Sequence, residues 1–396
     1  MQIGLLGKAN VGKSTFFSAA TETPVQIANF PFTTIKPNVG IAYVKTECAC
    51  KHFGINHKNP LCVNGTRFIP IKLIDVAGLV PGAHEGKGLG NQFLDDARQA
   101  EVLIHVVDIA GSTDTQGHPV PANTHNPLED IKFVEEEFDL WFKQILQRDW
   151  QKISKEVEQK TLKLAEGIAK RFSGLGIKPF DIQLVLQSTE LITKKPLDWT
   201  DDDMSNFVKT LRKKTKPILI AANKADICKD LDIIKKIQNR SVILCSAETE
   251  LLLRKATKSG IVDYVPGSTD FTVNEKKEIS QQQKNALELV KNVIVRLKTT
   301  GIQDSLNKAV FEVLKTIVVF PVEDETKFCN KDGEIFPDAK LLQEGSTAKD
   351  LAYTIHEDIA KGFLHAIDCK TKQRIGADHK LKNGDVIKIV SSLSRG

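Results

Sequence analysis

Met1-Gln2-Ile3-Gly4-Leu5-Leu6 runs into Gly7-Lys8-Ala9-Asn10-Val11-Gly12-Lys13-Ser14-Thr15, and this stretch decides how the chain is expected to fold. A short apolar strand precedes a loop of the form G-x-x-x-x-G-K-[ST], and Phe16, Phe17, Ala19 and Ala20 open a helix after it. Glycine at 7 and 12 lets the backbone turn and approach a phosphate where a side chain would collide. The N–H groups of Asn10, Val11, Gly12 and Thr15, together with the positive end of the helix, then face the anion. Lys13 adds a mobile charge for the β- and γ-phosphates, and the Ser14 hydroxyl is placed to ligate Mg2+. The fold class that follows is α/β: a phosphate-loop NTPase domain with a mostly parallel sheet and helices on both faces.

The rest of the chain sets bounds around this unit. At ~100–200 residues per domain, 396 residues predict two or three domains. The composition, 41% hydrophobic and 27% charged, is that of an ordinary globular protein, and no apolar run approaches the ~20 residues of a membrane helix. Seven scattered cysteines do not form a secreted disulfide framework. A chain that starts on its phosphate-binding strand is expected to carry no signal peptide, so the expected location is the cytoplasm, with no membrane partner. A net charge of +5 is compatible with a polyanionic partner without arguing for one, and no DNA partner is expected.

Downstream of the first helix, Asn29-Phe30-Pro31-Phe32-Thr33-Thr34-Ile35-Lys36-Pro37 is a non-helical connection leading into the strand Ile41–Val44. Thr34 sits where a hydroxyl can complete the Mg2+ shell and sense the γ-phosphate, as a first switch. The next segment, 51–65, reads as a polar loop. With its flank it presents Cys48, Cys50, His57 and Cys62 in the order C-x-C-x6-H-x4-C, four zinc-competent ligands in a short span. The spacing matches no standard zinc pattern, and a polar hairpin with neighbouring cysteines is the other reading. The strand Phe68–Ile74 ends in Asp75-Val76-Ala77-Gly78. A carboxylate at that tip can hold Mg2+, and the Gly78 N–H can reach the γ-phosphate as the hinge of a second switch, so Lys13, Thr34 and Gly78 are the candidate catalytic groups. Five glycines between 82 and 90 follow.

Base recognition is expected further on. Val102–Asp108 and Pro217–Ala222 are near-continuous apolar runs, the pattern of parallel strands covered on both faces. The second ends in Asn223-Lys224-Ala225-Asp226. A carboxylate at 226 can accept from both the guanine N1–H and its exocyclic amine, a pair adenine lacks, while Asn223 and Lys224 buttress ring and loop. A strand over 241–245 then leads to Ser246-Ala247-Glu248, whose backbone can meet the guanine carbonyl.

In their order, GKANVGKS, Thr34, DVAG, NKAD and SAE resemble the motif set of a guanine-nucleotide-binding G domain. The segments NFPFTTIKPNVG and DVAGLVPGAHEGKGLGNQFLDDAR resemble the Obg/YchF group, over essentially the whole chain. The resemblance implies a Mg2+-dependent GTPase that binds GTP and GDP and is associated with ribosomes or RNA. YchF proper has lost the guanine-reading aspartate and uses ATP, whereas this chain keeps Asp226. Ras-type enzymes place a water-orienting glutamine just after D-x-x-G; here Leu79 stands there, as in the Obg group, and slow turnover is expected. Related families are stimulated by K+ through an asparagine at the position of Asn10. An ATPase of YchF type, or a nucleotide-stabilised binding module with negligible turnover, are the alternatives.

Between Asp75 and Asn223 roughly 90 residues exceed what two helices and a strand need. Leu128, Ile131, Val134, Phe138, Trp141, Phe142, Ile145 and Leu146 recur at helical spacing, continued by Ile153, Val157, Leu164, Ile168 and Phe172. A helical insertion over 128–215 is expected, with a YchF-like coiled-coil hairpin as one form. Residues 147–220 hold 15 Lys and Arg against 10 Asp and Glu, which a solvated helical face explains as well as a polyanion does, with Lys213, Lys214 and Lys216 as the candidate contacts to the latter. The G domain is expected over 1–127 and 216–271 and a helical linker over 272–315. The order strand, helix, strand, strand in 316–396 resembles the TGS domain, a small β-grasp module, that closes YchF-like GTPases.

Overall fold

A computed structural model describes residues 1–22, 38–76, 96–237 and 240–393. Thr34, Gly78, Leu79 and the glycine-rich segment 82–90 lie outside them. The first sheet has seven strands: β1 (Gln2–Leu6), β2 (Val39–Glu47), β3 (Cys62–Val63), β4 (Thr66–Asp75), β5 (Val102–Asp108), β6 (Ile218–Asn223) and β7 (Val242–Leu244). Their spatial order is β2-β4-β1-β5-β6-β7, with β3 also on β4, and β8 (Val262–Asp263) pairs with β9 (Thr272–Val273) as a separate two-stranded ribbon. The strands β4, β1, β5, β6 and β7 run parallel, and β2 and β3 are antiparallel to β4. Successive side chains of a strand point to opposite faces, and here both faces are covered. Val102, Ile104 and Val106 of β5 enter one core and Leu103 another.

The insertion covers the second face. It comprises α3 (Pro127–Gln147), α4 (Trp150–Glu158), α5 (Leu164–Arg171), α6 (Pro179–Ser188) and α7 (Asp201–Thr215). Phe138, Phe142, Phe172 and Phe207 are fully buried together with Leu6, Ile74 and Leu103 of the sheet. This corrects the coiled-coil hairpin. The periodicity over 153–172 also breaks into two helices, because Lys160 adopts a left-handed conformation at φ 57° after α4. Shared aromatic packing, here Trp150 on Trp199 at 4.8 Å, makes a compact bundle where a strict two-stranded seam would make a hairpin. Helix α7 ends its first turn and begins its last with charges suited to the helix dipole: Asp201, Asp202 and Asp203, then Arg212, Lys213 and Lys214. Thr200 and Asp203 close it as a capping box.

The first face is covered by α1 (Lys13–Thr21), α8 (Ala247–Lys258) and the segment that sequence reads as a linker. That segment holds α9 (Gln281–Leu297), α10 (Ile302–Asn307) and a π-helical turn over Lys308–Val313. Ile302, Leu306, Ala309 and Val310 are completely buried, in one cluster with Ile3, Leu5 and Phe16 and with Val318 and Phe320 of the C-terminal domain. The stretch is therefore a wedge between two sheets. In the C-terminal domain β10 (Thr316–Val322), β11 (Lys340–Gln343), β12 (Phe363–Asp368), β13 (Gln373–Ile375) and β14 (Asp385–Ser391) order as β11-β10-β14-β12-β13, with α11 (Ala348–Ile355) and α12 (Glu357–Lys361) packed on them. Two short strands, β11 and β13, are additional to the order expected from sequence. No described helix is long and apolar enough to cross a membrane.

Candidate nucleotide site

The parallel strands bring β1, β4, β5 and β6 to one edge, the carboxyl ends at which open α/β sheets bind ligands. Pairing of Leu5 with Asp75 and of Asp108 with Asn223 puts the phosphate loop, the Asp75 tip and the NKAD loop side by side. The loop turns through Gly7 at φ 154°, Asn10 at 61° and Gly12 at 88°. Gly12 is the N-cap of α1, with no side chain over the free N–H groups and no acidic residue in the first turn, so the anion-attracting end stays open. Ser14 is exposed on that turn. Lys13 Nζ forms an ion pair with Asp75 Oδ1, so the candidate phosphate-binding charge and the Mg2+-candidate carboxylate meet at one point.

Asn223 joins the two halves of the site. Its Nδ2 donates to Val11 O at 2.9 Å and its Oδ1 accepts from Ala247 N–H at 3.0 Å. Ala247 N–H is thereby engaged, which leaves Glu248 N–H, a first-turn donor of α8 without an intrahelical partner, as a remaining candidate for a base carbonyl. Ser246, fully buried, caps α8 by accepting from Thr249 N–H and holds the turn in place. Lys224, in the left-handed region at φ 59°, reaches Asp108 Oδ2 at 2.9 Å and Ser112 Oγ at 3.1 Å. Asp226 is half-buried, and no described residue donates to its carboxylate.

Several supporting residues escape sequence reading. The loop after β5 folds over the phosphate loop: Asn10 Nδ2 donates to Gly117 O at 2.9 Å, which leaves Asn10 Oδ1 with no donor among the described residues. Lys8 is buried, paired with Asp130 at 2.7 Å and donating to Thr113 O. His125 is 2.9 Å from the other Asp130 oxygen. Asp108, 1% exposed, also accepts from Ser112 and Thr113, which shapes this loop. On the opposite side Glu250, completely buried, accepts from Arg254 Nε at 2.6 Å, Tyr264 OH at 2.7 Å and Thr300 Oγ1. Arg254 then donates to Glu22 O at 2.9 Å and satisfies the carbonyl end of α1. A buried charge demands a partner, so Lys8 and Glu250 carry the only signal that sequence offered, and it names no partner.

Several basic side chains of the insertion are held in ion pairs. Arg212 pairs with Asp139 at 2.9 Å, Lys143 with Asp201 at 2.5 Å and Arg171 with Asp149 at 2.6 Å. Lys216 is 4% exposed, donates to Arg98 O and Ala100 O, and is pushed down to about 8 by burial. It is corrected from surface contact to core group. Lys213 and Lys214 are exposed.

A second cluster lies at the far end of β4. Cys48 Sγ is 3.6 Å from His57 Nε2, Cys50 Sγ is 3.8 Å from Cys62 Sγ, and all four ligand atoms fall within 4.8 Å of one another. Burial and the Arg67 guanidinium hold His57 below its ordinary value.

Three family profiles match. The one described as Obg-like GTPase YGR210-like, G4 motif-containing domain, covers residues 221–324; the 50S ribosome-binding GTPase profile covers 2–137; the TGS domain profile covers 331–391. An uncharacterised GTP-binding protein of Methanocaldococcus jannaschii is 46% identical over 98% of this chain and 99% of its own. The ribosome-binding ATPase YchF of Buchnera aphidicola is 28% identical over 97% of each chain. The crystal structure of a GTP-binding protein from Pyrococcus horikoshii OT3 superposes with a TM-score of 0.78, at 38% identity over 99% of this chain and 100% of that one.

Proposed function

Because the chain belongs to the Obg-like GTPase family and ends in a TGS domain, we propose that it binds GTP and hydrolyses it slowly to GDP and phosphate, as a cytoplasmic nucleotide switch acting at ribosomes. The observation that carries this reading is Asn223, hydrogen-bonded at once to the phosphate loop and to the SAE turn, with Asp226 beside it. Two acceptor oxygens at 226 suit guanine, which favours GTP over the ATP named for YchF relatives.

Mg2+ fits the donor set of hard oxygens, the Ser14 hydroxyl and the Asp75 carboxylate, completed by Thr34. K+ fits the open lone pairs of Asn10 Oδ1. Bound cations supply charge neutralisation at the β- and γ-phosphates. The chain's own part is positional. Lys13 leaves Asp75 for the phosphate oxygens, the α1 N–H groups hold them, and Gly78 and Thr34 report whether a γ-phosphate is present. Leu79 cannot orient water, so no side chain directly after D-x-x-G takes the glutamine's role.

Single-turnover hydrolysis should run faster in KCl than in NaCl at equal ionic strength, and Asn10→Ala should remove the difference. Equal wild-type rates in the two salts would sink the potassium reading, and no turnover in either would favour the binding module. Ribosomal particles should co-sediment with the protein more strongly with a non-hydrolysable GTP analogue than with GDP. Each phosphate contact contributes ~0.9 to the log–log salt slope. Replacing Lys213 and Lys214 with alanine should therefore weaken binding and flatten that slope by up to about two. Protein that stays in the supernatant in every nucleotide state overturns the ribosome claim and leaves the GTPase reading standing.

A further inference from the structure

We propose that Cys48, Cys50, His57 and Cys62 bind one Zn2+ tetrahedrally, and that the resulting knuckle clamps the C-terminal domain onto the strand that ends at Asp75. Zinc bonds of ~2.3 Å to sulfur and ~2.0–2.1 Å to nitrogen give tetrahedron edges of roughly 3.8 Å between sulfurs and 3.6 Å between sulfur and nitrogen. The Cys50–Cys62 and Cys48–His57 separations are 3.8 and 3.6 Å. A disulfide, at ~2.05 Å, is far from the Cys50–Cys62 distance. Local chemistry assembles the four ligands. Cys48 N-caps the short helix α2 (Ala49–Phe53), and Gly54 ends it in the left-handed region at φ 64°. Asn64 and Gly65, at φ 51° and 74°, form the tight turn that returns Cys62 alongside Arg67. Ligation through His57 Nε2 puts the ring proton on Nδ1, where it displaces the long 3.3 Å contact from Asn59 N–H.

The surroundings fit a charged centre. Arg67 is 1% exposed and has no carboxylate within ion-pair distance among the described residues, and its Nε is unpartnered. Three thiolates and Zn2+ sum to one negative charge, which buried Arg67 balances. Arg67 and the knuckle also hold the C-terminal domain. Arg67 Nη1 and Nη2 donate to Phe336 O and Pro337 O, each at 3.0 Å, and Asn59 Nδ2 donates to Phe336 O at 2.9 Å. Phe53 packs on Phe328 at 4.2 Å, and His57 meets the Phe336 ring edge-on at 5.8 Å.

Protein purified without chelators should contain about one zinc per chain, falling at least tenfold in Cys48→Ser and in His57→Ala. Should those variants fail to fold, wild-type protein stripped by a chelator under reducing conditions and reloaded with Co2+ should show the visible d–d absorption of a tetrahedral thiolate site. Hydrogen exchange over 328–340 should quicken at least tenfold on stripping and recover on adding zinc. Wild-type protein that holds no metal and takes up neither Zn2+ nor Co2+, or thiol counting that finds a Cys50–Cys62 disulfide, overturns the site. Metal bound with unchanged exchange at 328–340 overturns the clamp.

Discussion

Asp226→Asn is expected to lower GDP affinity at least tenfold and to raise affinity for XDP, while the protein keeps its stability. The amide loses one of two acceptor oxygens and offers a donor that xanthine's extra carbonyl can use. Each buried polar group left unpaired costs ~1–3 kcal/mol, and ~1.4 kcal/mol is a factor of ten. Folding should be nearly unaffected, because no described residue donates to the Asp226 carboxylate and a substitution at such a site changes stability by ~0.5 kcal/mol or less. Competition titrations with GDP, XDP and ADP read this directly. Wild-type protein that binds ATP as tightly as GTP would show that Asp226 does not select the base.

Asn223→Ala should have the larger effect, a loss of at least about thirtyfold in nucleotide affinity. Its amide is 3% exposed and ties Val11 O to Ala247 N–H, so truncation leaves two buried partners unpaired at ~1–3 kcal/mol each. The same amide explains Gly12. A Cβ there would sit 2.3 Å from Asn223 Nδ2, at a φ of 88° that side chains rarely adopt. Gly12→Ala should therefore displace the amide that Asn223→Ala removes, and the two losses should fall short of adding by at least ~1 kcal/mol in a double-mutant cycle. Losses additive to within ~0.5 kcal/mol would mean that the phosphate loop and the NKAD loop are not coupled through this residue.

The nucleotide motifs were legible because each is local. Gln2 to Thr15 specify a strand, a turn needing left-handed backbone and a helix start within one short run, and the apolar runs ending in Asp75 and Asn223 announce buried parallel strands. The family resemblance, the G domain and the C-terminal TGS module were all legible at that level. The zinc-competent residues were legible as a set, though their spacing matched no standard zinc pattern and left the polar hairpin open.

What only the tertiary structure decided are partnerships across long sequence separations. Lys8 finds Asp130, Arg254 caps α1 at Glu22, and Arg67 reaches Phe336 and Pro337. Charge counting over 147–220 marked Lys216 as surface, yet two backbone carbonyls hold it in the core. Sequence reading marked 272–315 as a helical linker, yet Ile302, Leu306 and Val310 fill the space between two sheets. By itself the sequence determined the order of the nucleotide motifs and the strands that end in them, since local backbone conformation and apolar runs specify both. Which buried charge is neutralised by which distant residue, and which domain rests on which, depends on desolvation that a group meets only once the chain has closed around it.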